Sequence, residues 1–72
     1  MTFPSSKTVE WIQREYPVGI RVELLRMDDP HAPPLGTLGT VLGVDDTGSL
    51  IMRWDNGSGL NVIYGVDLVR KL

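Results

Sequence analysis

A chain of 72 residues with 42% hydrophobic and 22% charged residues carries enough apolar surface for one small domain and too few charges for a disordered chain. The absence of cysteine excludes a disulfide staple, a thiolate metal site and a thiol nucleophile. A formal charge of −2 argues against a surface built mainly for phosphate backbones, which requires a basic face. No apolar run approaches the length that spans a bilayer. With neither cysteine nor a signal peptide, the expectation is a cytoplasmic protein without a membrane partner.

Residues 1–4 read as a loose terminus. Ser5 or Ser6 can cap a helix that runs to about Glu15 within the span 5–16, because a serine hydroxyl accepts a bond from an otherwise unpaired amide. Val9, rather than Glu or Gln, lies three residues beyond Ser6, so a full capping box is missing. Pro17 ends the helix by pushing the residue before it out of the α region. Val9, Ile12 and Tyr16 form one helical stripe, and Trp11 falls nearly opposite it. A first strand is predicted from Ile20 to about Met27, with Ile20, Val22 and Leu24 alternating with Arg21 and Glu23. Leu25 and Met27 occupy the other face, which the helix is expected to cover. The stretch from Asp28 to Gly36 holds Pro30, Pro33 and Pro34, which forbid helix and central strand and predict an ordered, irregular loop.

A β-meander follows. Leu38–Val44 and Leu50–Trp54 are apolar runs separated by Asp45-Asp46-Thr47-Gly48 and followed by Asp55-Asn56-Gly57, turn signals on both sides of a short alternating run. Val41 and Val44 are three apart, so a bulge at Gly43 is needed to place both inside. Leu60–Val62 is predicted as a fourth short strand, Tyr64-Gly65-Val66 as a one-turn corner, and Asp67–Lys71 as a fifth strand. The predicted core is Val22, Leu24, Val41, Val44, Leu50, Met52, Trp54, Leu60 and Val62, with the Trp54 indole N–H bonded near its turn. The whole chain, 1–72, is therefore read as a single mainly β domain: one N-terminal α-helix, then a small SH3-like barrel of about five short antiparallel strands over 18–72. The alternative is a small open antiparallel sheet with one helix packed across it; closure is preferred because it removes exposed edges.

The strings Tyr16-Pro17-Val18-Gly19-Ile20-Arg21-Val22-Glu23-Leu24, Met27-Asp28-Asp29-Pro30, Gly36-Thr37-Leu38-Gly39-Thr40-Val41, Val44-Asp45-Asp46-Thr47-Gly48, Trp54-Asp55-Asn56-Gly57-Ser58 and Gly65-Val66-Asp67 carry a resemblance. The chain resembles a bacterial family catalogued as a domain of unknown function, number four-three-one-four in that series. The resemblance implies a small SH3-like protein of bacteria, phages and mobile elements, with no activity and no catalytic residues to carry over. Gly36 to Val44 also resembles the core of a KOW-type module of ribosomal and transcription proteins.

Candidate chemistry is sparse. Ser5, Ser6, Ser49 and Ser58 have no motif that places a base beside them, and Gly36, Gly39 and Gly43 are not followed by a helix start that would cradle phosphate. His31 is the single histidine, so no transition-metal site is expected; the acidic pairs Asp28-Asp29 and Asp45-Asp46 lack the spacing of a calcium loop. A non-enzymatic protein without metal or cofactor is the expectation. The binding candidates are Trp11, as an anchor on the outer side of the helix, and Tyr64 with His31, Pro33 and Pro34, as the borders of one groove. The competing reading of Tyr64 is a plug at the barrel end. These candidates describe a module that docks another protein or a second copy of itself. The alternative is a KOW-like nucleic-acid-binding accessory, which requires Arg21, Arg53, Arg70 and Lys71 on one face.

Overall fold

The computed structural model describes residues 4–72, so of the expected loose terminus only Pro4 falls within the described residues. Helix α1, Ser6–Glu15, starts where Ser5 stays extended and its Oγ accepts the Thr8 N–H at 3.2 Å. It ends at Tyr16, whose N–H still donates to the Ile12 carbonyl at 2.8 Å before Pro17 forbids another turn. The expected stripe faces inward: Ile12 is buried, and Val9 and Tyr16 are half-buried.

Four strands follow, β1 (Arg21–Arg26), β2 (Leu38–Val44), β3 (Leu50–Trp54) and β4 (Leu68–Lys71). They pair antiparallel in the order β3-β2-β1-β4. Among the described residues β3 and β4 stand at opposite edges and the sheet does not close, so the fold is mainly β but is the open sheet crossed by one helix, with four strands where five were expected.

The reason lies in residues 58–67. Leu50 and Val62 exchange a pair of backbone bonds of 2.9 and 3.0 Å, and the pairing stops there as an isolated bridge instead of a strand over Leu60–Val62. The Asn61 side chain, in place of a main-chain carbonyl, receives the Met52 N–H at 3.4 Å. The Ser58 carbonyl receives the Trp54 N–H at 3.0 Å. The amides of Leu50, Met52 and Trp54 on the outer edge of β3 are thus satisfied without a regular strand. The chain then turns through the predicted corner. The N–H groups of Val66 and Asp67 both donate to the Ile63 carbonyl, and the Asp67 carboxylate accepts the Ile63 N–H at 2.7 Å. Gly65 supplies the positive φ of 76° that this turn needs. The corner sends the last strand to the outer side of β1.

Two bulges set which side chains point inward. The register slips between Val41 and Gly43 opposite Met52 and Ile51, as the valine spacing predicts; Leu42 turns outward, Val41 is fully buried and Val44 packs against the core. A second slip, between Leu24 and Arg26 opposite Val69 and Leu68, ejects Leu25. The helix therefore does not cover a face holding Leu25 and Met27: Leu25 is exposed, Met27 packs against the core, and α1 sits on the core side through Ile12.

One cluster joins Ile12, Val22, Leu24, Val41, Leu50, Met52, Trp54 and Val62. Leu60 is not in it; its side chain is half-buried, and its contribution is the carbonyl that accepts the Trp54 indole N–H at 2.8 Å. Trp54, 1% exposed, lies directly over Gly39, its partner in the β2–β3 ladder. A Cβ at residue 39 would stand 2.5 Å from Trp54 Cε3 and 2.9 Å from Met52 Cε. Gly39 is thus a matter of space and not of backbone freedom. Gly39→Ala is expected to cost about 1–3 kcal/mol by overpacking, read as a fall in the urea midpoint. Gly43→Ala is the control, because its Cβ would meet only Ile51 Cδ1 at 3.8 Å.

Candidate functional site

α1 covers only part of the core side of the sheet. What it leaves open is a groove of about 230 Å³, in the gap where a closed barrel would have joined its two edges. Its floor is apolar, made by Ile12, Leu50 and Val62. Trp11 rims it from the helix and Tyr64 from the corner, 51% and 47% exposed. Leu68 and Val69 of β4 form a further wall. Gly48, at φ 79°, lets the β2–β3 turn approach the floor and the Tyr64 rim: a Cβ there would stand 3.1 Å from Ile12 Cδ1 and 3.6 Å from Tyr64 Cγ. The Tyr64 N–H also reaches Ser49 Oγ at 3.4 Å. Tyr64 is accordingly a rim residue and not a plug.

Tyr64 and the proline loop do not share this groove. Pro33 is buried and Pro34 exposed, and both line a separate recess with Arg26, Met27, Leu35 and Val66. The loop is held by its own bonds, Gly36 N–H to the Leu24 carbonyl at 2.8 Å and Thr37 Oγ1 to the Pro34 carbonyl at 2.6 Å. These bonds tie the loop to β1 and to itself. The His31 side chain stands in solvent, 88% exposed, while its backbone N–H donates to Asp29 Oδ1 at 2.7 Å.

The cationic set is divided. Arg21 and Arg53 flank Thr40 in adjacent ladder positions, and Arg70 stands opposite Glu23, so these three share the face of the sheet away from the helix. Lys71 pairs with Val22 in the ladder and lies on the other side, 5.2 Å from the Tyr16 ring centroid and 3.1 Å from Glu15 Oε1. Arg21 makes a two-pronged contact with Asp55, at 2.8 and 2.5 Å, and also donates to Thr40 Oγ1 at 2.9 Å. Arg70 donates to Glu23 Oε1 at 2.7 Å. Three of the four cations are thus matched by carboxylates, and the sheet face is mixed rather than basic.

Asp45 is occupied within its own turn. Asp45 Oδ1 accepts from Thr47 N–H at 2.9 Å, Thr47 Oγ1 at 2.6 Å and Ser49 N–H at 3.0 Å. Among the described residues no group of three or more His, Asp or Glu side chains is placed to hold a metal ion.

The residues that sequence reasoning missed are Ile63, Leu68 and Val69. Their place in the groove depends on where the corner delivers the chain, which no local pattern encodes. Trp11 and Tyr64 were both singled out, but not as the two rims of one groove.

These features define a class: a small, mainly β domain with an unclosed four-stranded sheet, a capping helix and an apolar groove between them. The family model described as a domain of unknown function, DUF4314, matches residues 5–72, and the chain belongs to that family. No curated protein and no solved structure matches the chain significantly.

Hydrogen bonding, first from Thr47 Oγ1 and then from the Ser49 and Thr47 amides, holds the Asp45 carboxyl below its ordinary 3.8 against the opposing effect of desolvation. The Arg21 guanidinium does the same for Asp55, the Arg21 hydrogen bond being the largest cause. A carboxyl whose folded pKa is depressed stabilises the fold fully above its unfolded value and loses that contribution as pH falls through the folded one. Stability should therefore decline as pH drops below about 4, and Asp45→Asn should be less stable than wild type at pH 7 while showing a shallower acid decline. Urea melts at pH 7, 4 and 2.5 read both effects.

Proposed function

We propose that the protein is a small, non-enzymatic interaction module of the cytoplasm that docks another protein through the groove between α1 and the corner leading into β4. One observation carries this reading. Trp11 and Tyr64, more than fifty residues apart, are brought to the lining of a single apolar groove and keep about half of their surface in water. Large aromatic side chains held on ordered backbone bury much area at small entropic cost, which is why they anchor interfaces.

The nucleic-acid alternative ranks second because Arg21, Arg70 and Lys71 already face carboxylates. Neutralised cations release few counterions from DNA, so little affinity is gained from the phosphate backbone. A titration with duplex DNA near physiological salt is expected to give binding no tighter than about 100 μM. Tight binding with a steep salt slope would reverse the ranking.

The docking reading is tested with four immobilised baits: wild type, Trp11→Ala, Tyr64→Ala, and Arg53→Ala as a sheet-face control. Proteins retained from cells that make the chain by wild type and the control should be lost from both groove variants. Melting temperatures should stay within a few degrees, because neither side chain is buried. Equal retention by all four baits, or a collapse of stability in the groove variants, would defeat the reading.

A further inference from the structure

The groove does not end at its apolar floor. Ile63 and Asp67 belong both to its wall and to the wall of a second recess, so the two cavities adjoin across these residues. That recess is lined by Asp28, Asp29 and Asp67, with Leu60, Asn61 and Val66 among the rest and no Lys, Arg or His.

Two basic side chains border its lining at Val66 and Asp29. Arg26 directs Nη2 to the Val66 carbonyl at 3.4 Å, and His31 Nδ1 lies 3.7 Å from Asp29 with its ring in solvent. Asp67 spends Oδ2 on the Ile63 N–H, and Asp29 spends Oδ1 on the His31 N–H. Among the described residues Asp28 has neither a side-chain hydrogen bond nor an ion partner within 4.0 Å. Elsewhere the same chain does pair its carboxylates: Asp55, Glu23 and Glu15 each hold a cation. The recess carboxylates are too dispersed to converge on one metal ion. A charged group on a long, flexible stem matches such a distribution better, because its several N–H donors can serve separated acceptors. The flank of the groove is β4, the terminal strand of the sheet, whose outer edge has no strand partner among the described residues. Free strand edges accept extended chains.

From this juxtaposition we infer that the groove receives an extended segment of another protein in which an apolar side chain is followed closely by Lys or Arg. The apolar side chain seats between Trp11 and Tyr64, and the cation reaches the recess of Asp28, Asp29 and Asp67. Charge complementarity selects this occupant over a second copy of the chain. Two copies each bring a net charge of −2, and the cations on the edge strand, Arg70 and Lys71, are already engaged by Glu23 and Glu15. The inference rests on the groove being a protein-docking site, and adds the chemistry of what docks.

A phage-displayed library of random dodecapeptides, panned against the full chain, tests the two levels separately. Enriched peptides should share an aromatic or branched aliphatic residue within three positions of a Lys or Arg. Their binding should weaken as salt is raised and should be lost with Trp11→Ala. It should fall about fivefold with the double substitution Asp28→Asn, Asp67→Asn, as expected for exposed charge pairs. The asparagine at position 67 keeps an acceptor for the Ile63 N–H, and circular dichroism melts verify that each variant is folded. Enriched peptides that need Trp11 but show no basic preference, or that ignore the double substitution, would overturn the charge inference and leave the groove reading standing. Peptides indifferent to Trp11→Ala, or no enrichment at all, would overturn both. A dimer in light scattering that becomes a monomer with Trp11→Ala would give the groove to a second copy and overturn the inference as well.

Discussion

The contact between the Trp54 ring and the bare Cα of Gly39 is the constraint on which the other features depend. With no side chain at residue 39, the indole packs against β2 as the largest fully buried side chain of the core. Its N–H, taken out of water with the ring, must find an acceptor, and the Leu60 carbonyl is that acceptor. The bond ties residues 58–62 down along the edge of β3. Once that segment is fixed, the single bridge between Leu50 and Val62 and the turn at Ile63–Asp67 follow from where the chain is left. A burial requirement of one ring thus fixes the route of the last third of the molecule.

That route explains why an open sheet with a groove forms where a barrel was the first expectation. Closure demands that the two edge strands meet. The 58–62 segment occupies the β3 edge with a mixture of main-chain and side-chain acceptors, so no place is left there for β4, which pairs with β1 instead. The core side of the sheet is then too broad for a ten-residue helix to cover. The groove is the uncovered remainder, and its apolar floor belongs to the same cluster that stabilises the fold.

Much of this was legible in the residues. The helix and its cap, the three longer strands, the bulge demanded by Val41 and Val44, the buried Trp54 and the one-turn corner are all local consequences of period, turn chemistry and steric room. Leu60–Val62 misled because alternation in three residues cannot reveal that Asn61 will offer its side chain to Met52 N–H in place of a ladder bond. Leu25 misled in the same way, since the second bulge appears only when β4 is set against β1. For the site, exposure of Trp11 followed from the helix stripe, whereas its meeting with Tyr64 did not. That meeting is a long-range outcome, set by packing between segments that share no local signal.

The unequal treatment of the two sheet edges has a consequence for assembly. Sheets with two open edges can add copies on both sides and grow without limit, the geometry of fibrils. Here the amides of Leu50, Met52 and Trp54 are already spoken for by the molecule's own chain, and only the β4 side is unblocked among the described residues. Strand addition to such a sheet is a single event: once one extended segment has joined, its far side belongs to the newcomer. In backbone terms the described sheet is an end-piece, with one edge left to pair.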